Sequence, residues 1–480
     1  MRPLAAVNHD FETMSETLNQ AIPKMATPTV AVERTDQTSA NREPTKLSFA
    51  FLWLFTFAVY ARPQDIYPVI NPLHLPLVFG ICAGLAYLAD LISGRARLMW
   101  PRELVLVLLL TAWFILGVPF SYWRGGSFEV LIDLWIKVVL SFFLLTQTLT
   151  SVGRVRKLLW AIVIGELLAT IASIILRGEG RLEEGGRLAG VSLGLLNMNY
   201  FGIVVSVTLP YIAVLYVSRR SPLRTGFLIA TIGSTLWMLV LTASRGGFLG
   251  VIFSMVLTWW FILRGSLRGR IVAALLPMFL IISMVKAPDV FWLRLQTIWG
   301  GSQAVTSMTS ASAEESTKGR EFLLEQSIKY SLQFPVFGVG IGNFPLYNGE
   351  FIHRPDAWLG THNTFTQISS EAGIPALVLF LTLFGTVVRR ARRLSKKLAE
   401  DEANHELRLL ARATLVSAVA FAFGAFFAHL GYEYIFYYVA GIAASLWAIS
   451  RRSDAASQSA DGSAEPRPTP PLPQWSPKWP

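Results

Sequence analysis

Apolar and polar residues alternate along this chain in long blocks. About twelve apolar stretches follow one another between residues 47 and 450, separated by short polar segments. They lie near residues 47–61, 69–92, 103–121, 130–149, 155–176, 193–217, 226–243, 246–263, 270–286, 373–388, 409–429 and 432–450. Most are long enough to cross the roughly 30 Å hydrocarbon core of a bilayer as a helix. The pattern therefore predicts an all-α polytopic membrane protein with about 12 transmembrane helices.

The loops between these stretches predict the orientation, because Lys and Arg in short loops favour the cytoplasmic side. Every second loop is basic. The basic residues are Arg95, Arg97 and Arg102, then Arg154, Arg156 and Lys157, then Arg219, Arg220 and Arg224, then Arg264, Arg268 and Arg270, and finally the run from Arg389 to Lys397. Both termini are thus predicted to be cytoplasmic, and the long segment between spans 9 and 10 is predicted to be periplasmic.

Five regions follow from this topology. They are a disordered cytoplasmic tail (1–45), spans 1–9 (46–286), a periplasmic loop domain (287–371), spans 10–12 (372–450) and a Pro-rich disordered cytoplasmic tail (451–480). The loop domain is expected to be a partly helical folded cap. In its amphipathic stretch 319–332, we expect Phe322, Leu323, Ile328 and Leu332 to cover one helical face.

Composition supports a protein solvated largely by lipid. Hydrophobic residues make up 53% of the 480 residues and charged residues only 15%. The mean hydropathy of +0.47 is too high for a soluble enzyme. The net charge of +11 is spread over the short basic loops, which argues against a nucleic-acid surface. Cys82 is alone, so the chain has no disulfide framework.

Unusual polar residues gather at the predicted outer ends of the spans. Arg187 lies between Gly186 and Gly190, and Asn197 and Asn199 follow before span 6. An Arg inside a span costs about 2.5–3.5 kcal/mol, so a partner is expected to offset it. The alternatives are an Arg that extends to the interface and Asn side chains that cap the helix.

A second arginine breaks the charge rule that the basic loops obey. The sequence Ser244-Arg245-Gly246-Gly247 separates two apolar stretches at the predicted outer boundary. Lys and Arg are disfavoured in short outer turns, which suggests an anionic partner for Arg245. The alternative is a tight glycine turn with an incidental arginine.

The long segment supplies the remaining candidates. The segment with Arg320 is predicted to open a helix. The glycines between 338 and 342 indicate a tight backbone path more than a phosphate cradle, and His362-Asn363 and Glu371 precede span 10. On one continuous helix, His362 and Glu371 would face opposite sides. The sequence predicts no role for three further polar residues, which are Glu166 in span 5 and His429 and Glu433 at the last outer turn. We expect His429 and Glu433 to lie in water.

Taken in order, these motifs resemble the O-antigen ligase and O-antigen polymerase superfamily. The matching features are Arg187 with Gly190 and Asn199, Arg245 with Gly246, Arg320 with Leu324 and the Gly-rich stretch, and His362-Asn363 with Glu371 and Gly373. The resemblance covers roughly residues 180–390 together with the twelve-span topology. In ligases, Gly, Thr or Tyr is typical at the position where this chain has Ala376, which weakens the choice of ligase over polymerase.

The resemblance implies transfer of a glycan from an undecaprenyl diphosphate carrier to a sugar hydroxyl, on the periplasmic side of a bacterial inner membrane. The expected acceptor is lipid A core for a ligase or a growing glycan for a polymerase, and membrane lipids are the surroundings. A departing diphosphate needs positive charge, from a metal or from guanidinium groups. The chain has no Asp-x-Asp motif, so neither a metal nor another cofactor is expected.

Residue roles follow from this chemistry. Arg187, Arg245 and Arg320 are predicted to bind the diphosphate, since guanidinium groups match phosphate oxygens. His362 is predicted to be the general base. Asn197, Asn199, Asn363 and Glu371 are predicted to bind or orient substrate, with Glu371 holding either the His362 tautomer or an arginine. A twelve-span transporter or flippase is the alternative of another class, although transporters usually bind substrate near the bilayer midplane. A third possibility is a non-enzymatic membrane scaffold.

Overall fold

The computed structural model describes residues 46–176, 182–183, 187–188, 200–218, 221–265, 267–296, 308–353, 355–398, 401 and 404–462. Over these residues the chain is almost entirely helical, as predicted. The first helices are α1 (Lys46–Ala61), α2 (Pro63–Ile66), α3 (Leu75–Ile92), α4 (Arg102–Gly117), α5 (Arg124–Val130), α6 (Ile136–Thr148), α7 (Val152–Ile175) and α8 (Phe201–Ser218). The others are α9 (Pro222–Thr242), α10 (Arg245–Thr258), α11 (Leu267–Val285), α12 (Asp289–Gln296), α13 (Met308–Gln333), α14 (Phe344–Ile352), α15 (Thr364–Lys397), α16 (His405–Ala425) and α17 (Tyr434–Gly462).

Shorter elements connect or extend these helices. A two-residue antiparallel hairpin pairs β1 (Leu182–Glu183) with β2 (Arg187–Leu188). Three 3₁₀ helices lie at Pro68–Leu73, Val118–Phe120 and Pro355–Trp358, and π-helical turns lie at Leu131–Trp135 and Trp259–Leu263.

Nine helices among the described residues are long and apolar enough to cross a membrane. They are Pro68–Ile92, Arg102–Phe120, Val152–Ile175, Phe201–Ser218, Pro222–Thr242, Arg245–Leu263, Leu267–Val285, Thr364–Lys397 and His405–Ala425. The three other predicted spans also coincide with helical segments: α1 has 16 residues, α5 and α6 are joined by a π-helical turn, and α17 contains several tyrosines. The chain thus has the helices of a multi-pass membrane protein, whereas the number twelve stays a prediction.

Small residues let α8 and α10 pack in close contact. A Cβ atom built on Gly202 of α8 would lie 2.3 Å from Gly247 Cα of α10. Further along the same pair, the Ser254 hydroxyl donates to the Ser206 carbonyl oxygen over 2.6 Å. Small side chains and interhelical hydrogen bonds hold membrane helices together where lipid removes the hydrophobic driving force. The contact fixes the start of α10 beside the start of α8.

The segment between α11 and α15 contains a small apolar core of its own. Leu323 and Tyr330 of α13 pack there with Val339 and Phe344. The predicted amphipathic face of α13 was partly wrong: Leu323 is buried, but Ile328 is 47% exposed and Leu332 is 74% exposed. The helix instead buries positions spaced by three or four residues, among them Leu323, Ser327 and Tyr330, because helical neighbours recur at that interval.

A kink at Gly373 divides α15 into two parts. Gly373 has φ 84° and ψ 172°, a conformation that glycine alone adopts readily. A Cβ atom there would lie 1.9 Å from the Val336 carbonyl oxygen, and the Ile374 N–H donates to the Pro335 carbonyl oxygen over 2.8 Å. The predicted start of span 10 at residue 373 therefore coincides with this kink, and residues 364–372 form a first helical part that packs with α13 and the Gly-rich segment.

Candidate functional site

A cavity of about 300 Å³ lies at one end of the helix bundle, where four separate segments of the chain meet. They are the start of α10, the middle of α13, the residues just before α15, and the turn between α16 and α17. The lining residues are Arg245, Gly246, Leu249, Arg320, Glu321, Leu324, Thr361, His362, Asn363, Phe426 and Phe427. Four residues selected from the sequence, Arg245, Arg320, His362 and Asn363, are thus brought together in one cavity.

Arg245 is presented to the cavity by a tight turn between α9 and α10. Ala243 has φ 47° and ends α9, and the Ser244 hydroxyl then accepts the Gly247 N–H over 3.3 Å and caps α10. Arg245 is therefore the first residue of α10. Unpaired N–H groups and the helix dipole make such an end favourable for anions. The turn and the anion-site interpretations of this motif are compatible, since the turn is what directs the start of α10 at the cavity.

Arg320 approaches the same cavity from α13. Among the described residues, its guanidinium group has no hydrogen-bond or ion-pair partner. Burial, and then the nearby Arg245, lower the pKa of Arg320. Two guanidinium groups therefore repel one another in a partly buried space. A bound anion would offset both the cost of burying the charge and the repulsion.

His362 lines the cavity in a strained backbone conformation. Its φ of 50° is in the left-handed region, which is uncommon for residues other than glycine and recurs at functional sites. Burial, and then the neighbouring His429 and Arg320, lower the pKa of His362 to about 3. The imidazole is therefore neutral at physiological pH, and one of its nitrogens is available as a proton acceptor.

Asn363 begins α15 as its N-cap. The Oδ1 atom accepts the Phe365 N–H over 2.9 Å and the Thr366 N–H over 3.1 Å. An N-cap asparagine satisfies backbone donors that have no partner inside the helix. Asn363 thus fixes the start of α15 directly after His362, which is an organising role beside its place in the cavity lining.

Glu371 lies apart from this cavity, beneath the Gly-rich segment. Its carboxylate accepts the Gly342 N–H over 3.0 Å and the Phe344 N–H over 3.3 Å. The segment needs its glycines, because Gly338 and Gly340 have φ of 66° and 105° and run against the first part of α15. The Gly-rich stretch is accordingly a tight backbone path, and Glu371 holds it in place.

Three predicted residues are not tested by these contacts. Asn197 and Asn199 lie outside the described residues, and of Arg187 only the backbone, in β2, is described. Glu166 is buried in α7. The described part of the chain contains no group of three or more His, Cys, Asp or Glu side chains that could hold a metal ion.

His429 contributes to this region, contrary to the expectation that it lies in water. Its ring packs against His362 at a centroid distance of 5.3 Å, and its Nε2 is 2.5 Å from Tyr200 Oη. Phe426 and Phe427, in the same turn, add apolar walls to the cavity. The sequence signal for the role of His429 is weak: it is a histidine beside two phenylalanines, in a short turn between apolar stretches.

Fold and cavity together define a class: a multi-pass membrane protein with a cavity whose lining combines guanidinium groups, apolar side chains and an imidazole. The family model described as O-antigen ligase matches residues 229–381. The match confirms the O-antigen ligase superfamily for this part of the chain, and that family implies a glycan-processing enzyme. Arg245, Arg320 and His362 all lie within the matched range, whereas Arg187 precedes it. No curated protein matches the chain.

Proposed function

We propose that this protein transfers a glycan from undecaprenyl diphosphate to a sugar hydroxyl, on the periplasmic side of a bacterial inner membrane. The observation that carries the proposal is the meeting of Arg245, Arg320 and His362 in one cavity. Two guanidinium groups supply the charge that a diphosphate requires, and an imidazole beside them supplies a base.

The walls of the cavity support an amphiphilic donor. Phe426 and Phe427 are exposed apolar side chains, and Leu249 and Leu324 line the cavity with them. A diphosphate attached to a polyprenyl chain needs cationic and apolar surfaces side by side. A water-soluble sugar nucleotide would gain nothing from the second surface, so a lipid-linked donor fits better.

In the proposed reaction, the acceptor oxygen attacks the anomeric carbon of the donor sugar as its bond to the diphosphate oxygen breaks. His362 takes the proton of the acceptor hydroxyl, and the electron pair of the broken bond leaves with the diphosphate. Arg245 and Arg320 stabilise the negative charge that develops there. A single displacement of this kind inverts the anomeric carbon.

Other predicted residues have supporting roles in this proposal. Arg187, Asn197 and Asn199 precede α8, whose start packs beside the start of α10, and we assign them to donor binding. Asn363 orients the His362 segment through its helix cap. Glu371 acts through the Gly-rich segment that it binds.

Reconstitution in nanodiscs with an undecaprenyl diphosphate-linked glycan tests the proposal. The acceptors are lipid A core and, separately, a second lipid-linked repeat unit, because a polymerase would use the same chemistry on the latter. Wild type is expected to elongate one of them, and His362→Gln to reduce transfer on the order of 100-fold. Arg224→Gln, an exposed arginine at the start of α9, is the matched control.

Added chelator tests whether guanidinium groups alone serve the diphosphate. We expect transfer to continue in excess EDTA. Complete dependence on an added divalent cation would reject the idea that Arg245 and Arg320 alone stabilise the diphosphate. Proton-driven flux of an intact lipid-linked glycan without transfer would favour a transporter instead. Full transfer by all of the His362→Gln, Arg245→Gln and Arg320→Gln variants would reject the roles assigned to these residues. Absence of transfer by wild type to either acceptor would favour a scaffold.

A further inference from the structure

A second imidazole packs against the one that we assign as the base. The rings of His362 and His429 lie 5.3 Å apart between centroids, with an angle of 68° between their planes. A general base usually needs a third group that fixes its tautomer. Glu371 was expected to hold either the His362 tautomer or an arginine, but its carboxylate accepts the N–H groups of Gly342 and Phe344. His429 is a polar side chain whose ring packs against the His362 imidazole.

Both histidines have a buried nitrogen with no partner. Among the described residues, neither His362 Nδ1 nor His429 Nδ1 makes a hydrogen bond, although both atoms are shielded from solvent. Leaving such an atom unpaired costs about 1–3 kcal/mol. Burial lowers the pKa of His362 to about 3 and the pKa of His429 to about 4, so both rings are neutral at physiological pH. Each ring then offers one N–H donor and one acceptor nitrogen.

His429 is held firmly relative to the His362 segment. The Thr364 hydroxyl donates to the Ala428 carbonyl oxygen over 2.7 Å and accepts the Leu430 N–H over 3.0 Å, so both neighbours of His429 are tied to α15. On the other side, a Cβ atom on Gly360 would lie 2.7 Å from His429 Cε1. Only glycine leaves room for the ring there.

A hydrogen bond at the far end of the ring completes the arrangement. His429 Nε2 lies 2.5 Å from Tyr200 Oη. If His429 carries its proton on Nε2 and donates it to Tyr200, then Nδ1 keeps a free lone pair. His429 Nδ1 is buried without a hydrogen-bond partner, and so is His362 Nδ1 in the neighbouring ring.

We propose that His429 is a positioning residue for His362: its Nδ1 accepts a hydrogen bond from His362 Nδ1–H, while its Nε2–H donates to Tyr200. His362 Nε2 is then unprotonated and available to the acceptor hydroxyl. The inference rests on the proposed function. Catalytic hydrogen bonds are often long in unliganded enzymes, so a small rotation of either ring on substrate binding completes the contact.

The charges around His362 agree with this assignment. Arg320, Arg245 and Glu321 line the same cavity as His362. The two arginines cannot accept an imidazole N–H, and Glu321 makes no hydrogen bond to His362 Nδ1. When His362 takes the proton of the acceptor hydroxyl on Nε2, it becomes an imidazolium whose Nδ1–H is still bound to His429. Part of the positive charge is thereby shared with the second ring, away from the two arginines.

Histidine nitrogen NMR on the full chain in nanodiscs tests the inference without relying on activity. The chain has 6 His residues, and His362→Gln identifies the signals of His362. With inorganic pyrophosphate as the probe anion, wild type is expected to show His362 in the Nδ1–H tautomer. His429→Phe, which keeps a ring without nitrogen, is expected to lose that preference. His429→Asn, whose amide oxygen takes the position of Nδ1, is expected to restore it.

Kinetics give a second readout. His429→Phe is expected to lower kcat on the order of 10-fold with little change in KM, and to alter the pH profile, while His429→Asn recovers most of kcat. Tyr200→Phe is expected to weaken the tautomer preference with a smaller loss of kcat, and it keeps the test open should His429→Phe fail to fold. An unchanged His362 tautomer in His429→Phe, or in Tyr200→Phe if His429→Phe does not fold, would overturn the inference.

Failure of the two proposals can be told apart. A wild-type protein without transferase activity, in which the His362 tautomer still depends on His429, would reject the proposed function and retain the positioning contact. An active enzyme whose His362 tautomer is indifferent to His429 would reject the positioning contact alone.

Discussion

Replacement of Arg320 separates a binding role from a structural one. Arg320 has no described hydrogen-bond or ion-pair partner, is partly buried, and is repelled by Arg245. Its charge therefore costs stability in the unliganded protein, and Arg320→Gln removes that cost. We expect the variant to unfold thermally at the same temperature as wild type or a higher one, while it binds undecaprenyl diphosphate more weakly.

The size of the binding loss follows from the bonds that a guanidinium group makes to a phosphate. A hydrogen bond to a charged group contributes about 1.5–3 kcal/mol, which corresponds to about a 10- to 100-fold loss of affinity. Arg320→Lys keeps the charge without the planar fork, so it should fall between wild type and Arg320→Gln. Arg224→Gln, which changes the net charge equally at an exposed position, should bind as wild type does.

Affinity is measured by native mass spectrometry or thermophoresis in detergent, in parallel with the unfolding temperature of each variant. Loss of stability in Arg320→Gln that is as large as its loss of binding would refute the reasoning, because it would mean that the guanidinium group supports the fold. Unchanged affinity would refute it equally, since the cavity would then bind the diphosphate without this residue.

Three further predictions concern stability, each measured by thermal or denaturant unfolding in detergent. Gly373→Ala should destabilise the protein by about 2–4 kcal/mol, because its backbone conformation and the Val336 carbonyl oxygen exclude a Cβ atom, whereas Gly385→Ala, in open space on the same helix, should be neutral or stabilising. The lowered pKa of His362 predicts that stability is fully present above about pH 6.5 and falls by about 1.4 kcal/mol per pH unit below it, a loss that His362→Gln should reduce. The fully buried Glu103 pairs with Arg390, so Glu103→Gln should cost about 3–5 kcal/mol and the double variant with Arg390→Met should recover much of it.

Each of these has an outcome that would contradict it. Equal effects at the two glycine positions would show that the kink does not depend on Gly373. An identical acid sensitivity in wild type and His362→Gln would mean that His362 is not neutral in the folded protein. Additive losses in the Glu103 and Arg390 double variant would show that the two side chains do not act as a pair.

Periodicity and composition were sufficient to predict the helices. Long apolar blocks predict membrane helices because a spanning backbone must satisfy its hydrogen bonds within the segment, and the described residues are helical at every predicted span. Two details of these helices differ from the prediction. The predicted span at 130–149 is interrupted by the π-helical turn at Leu131–Trp135, and α13 buries a different face from the one expected. In both cases the contacts with neighbouring helices, and not the local pattern, decide the result.

The sequence by itself singled out Arg245, because Lys and Arg are disfavoured in short outer turns. It singled out Arg320 and His362 because their motifs follow in the order of the superfamily that the chain resembles. It also marked Gly373, without indicating that the residue is a kink against Val336. Only the tertiary structure decided how these residues are combined. It brought four distant segments to one cavity, bound the Gly-rich segment to Glu371, and packed His429 against His362. Hydropathy indicates whether a residue lies in lipid or in water, but the contacts of its side chain depend on which helices lie side by side.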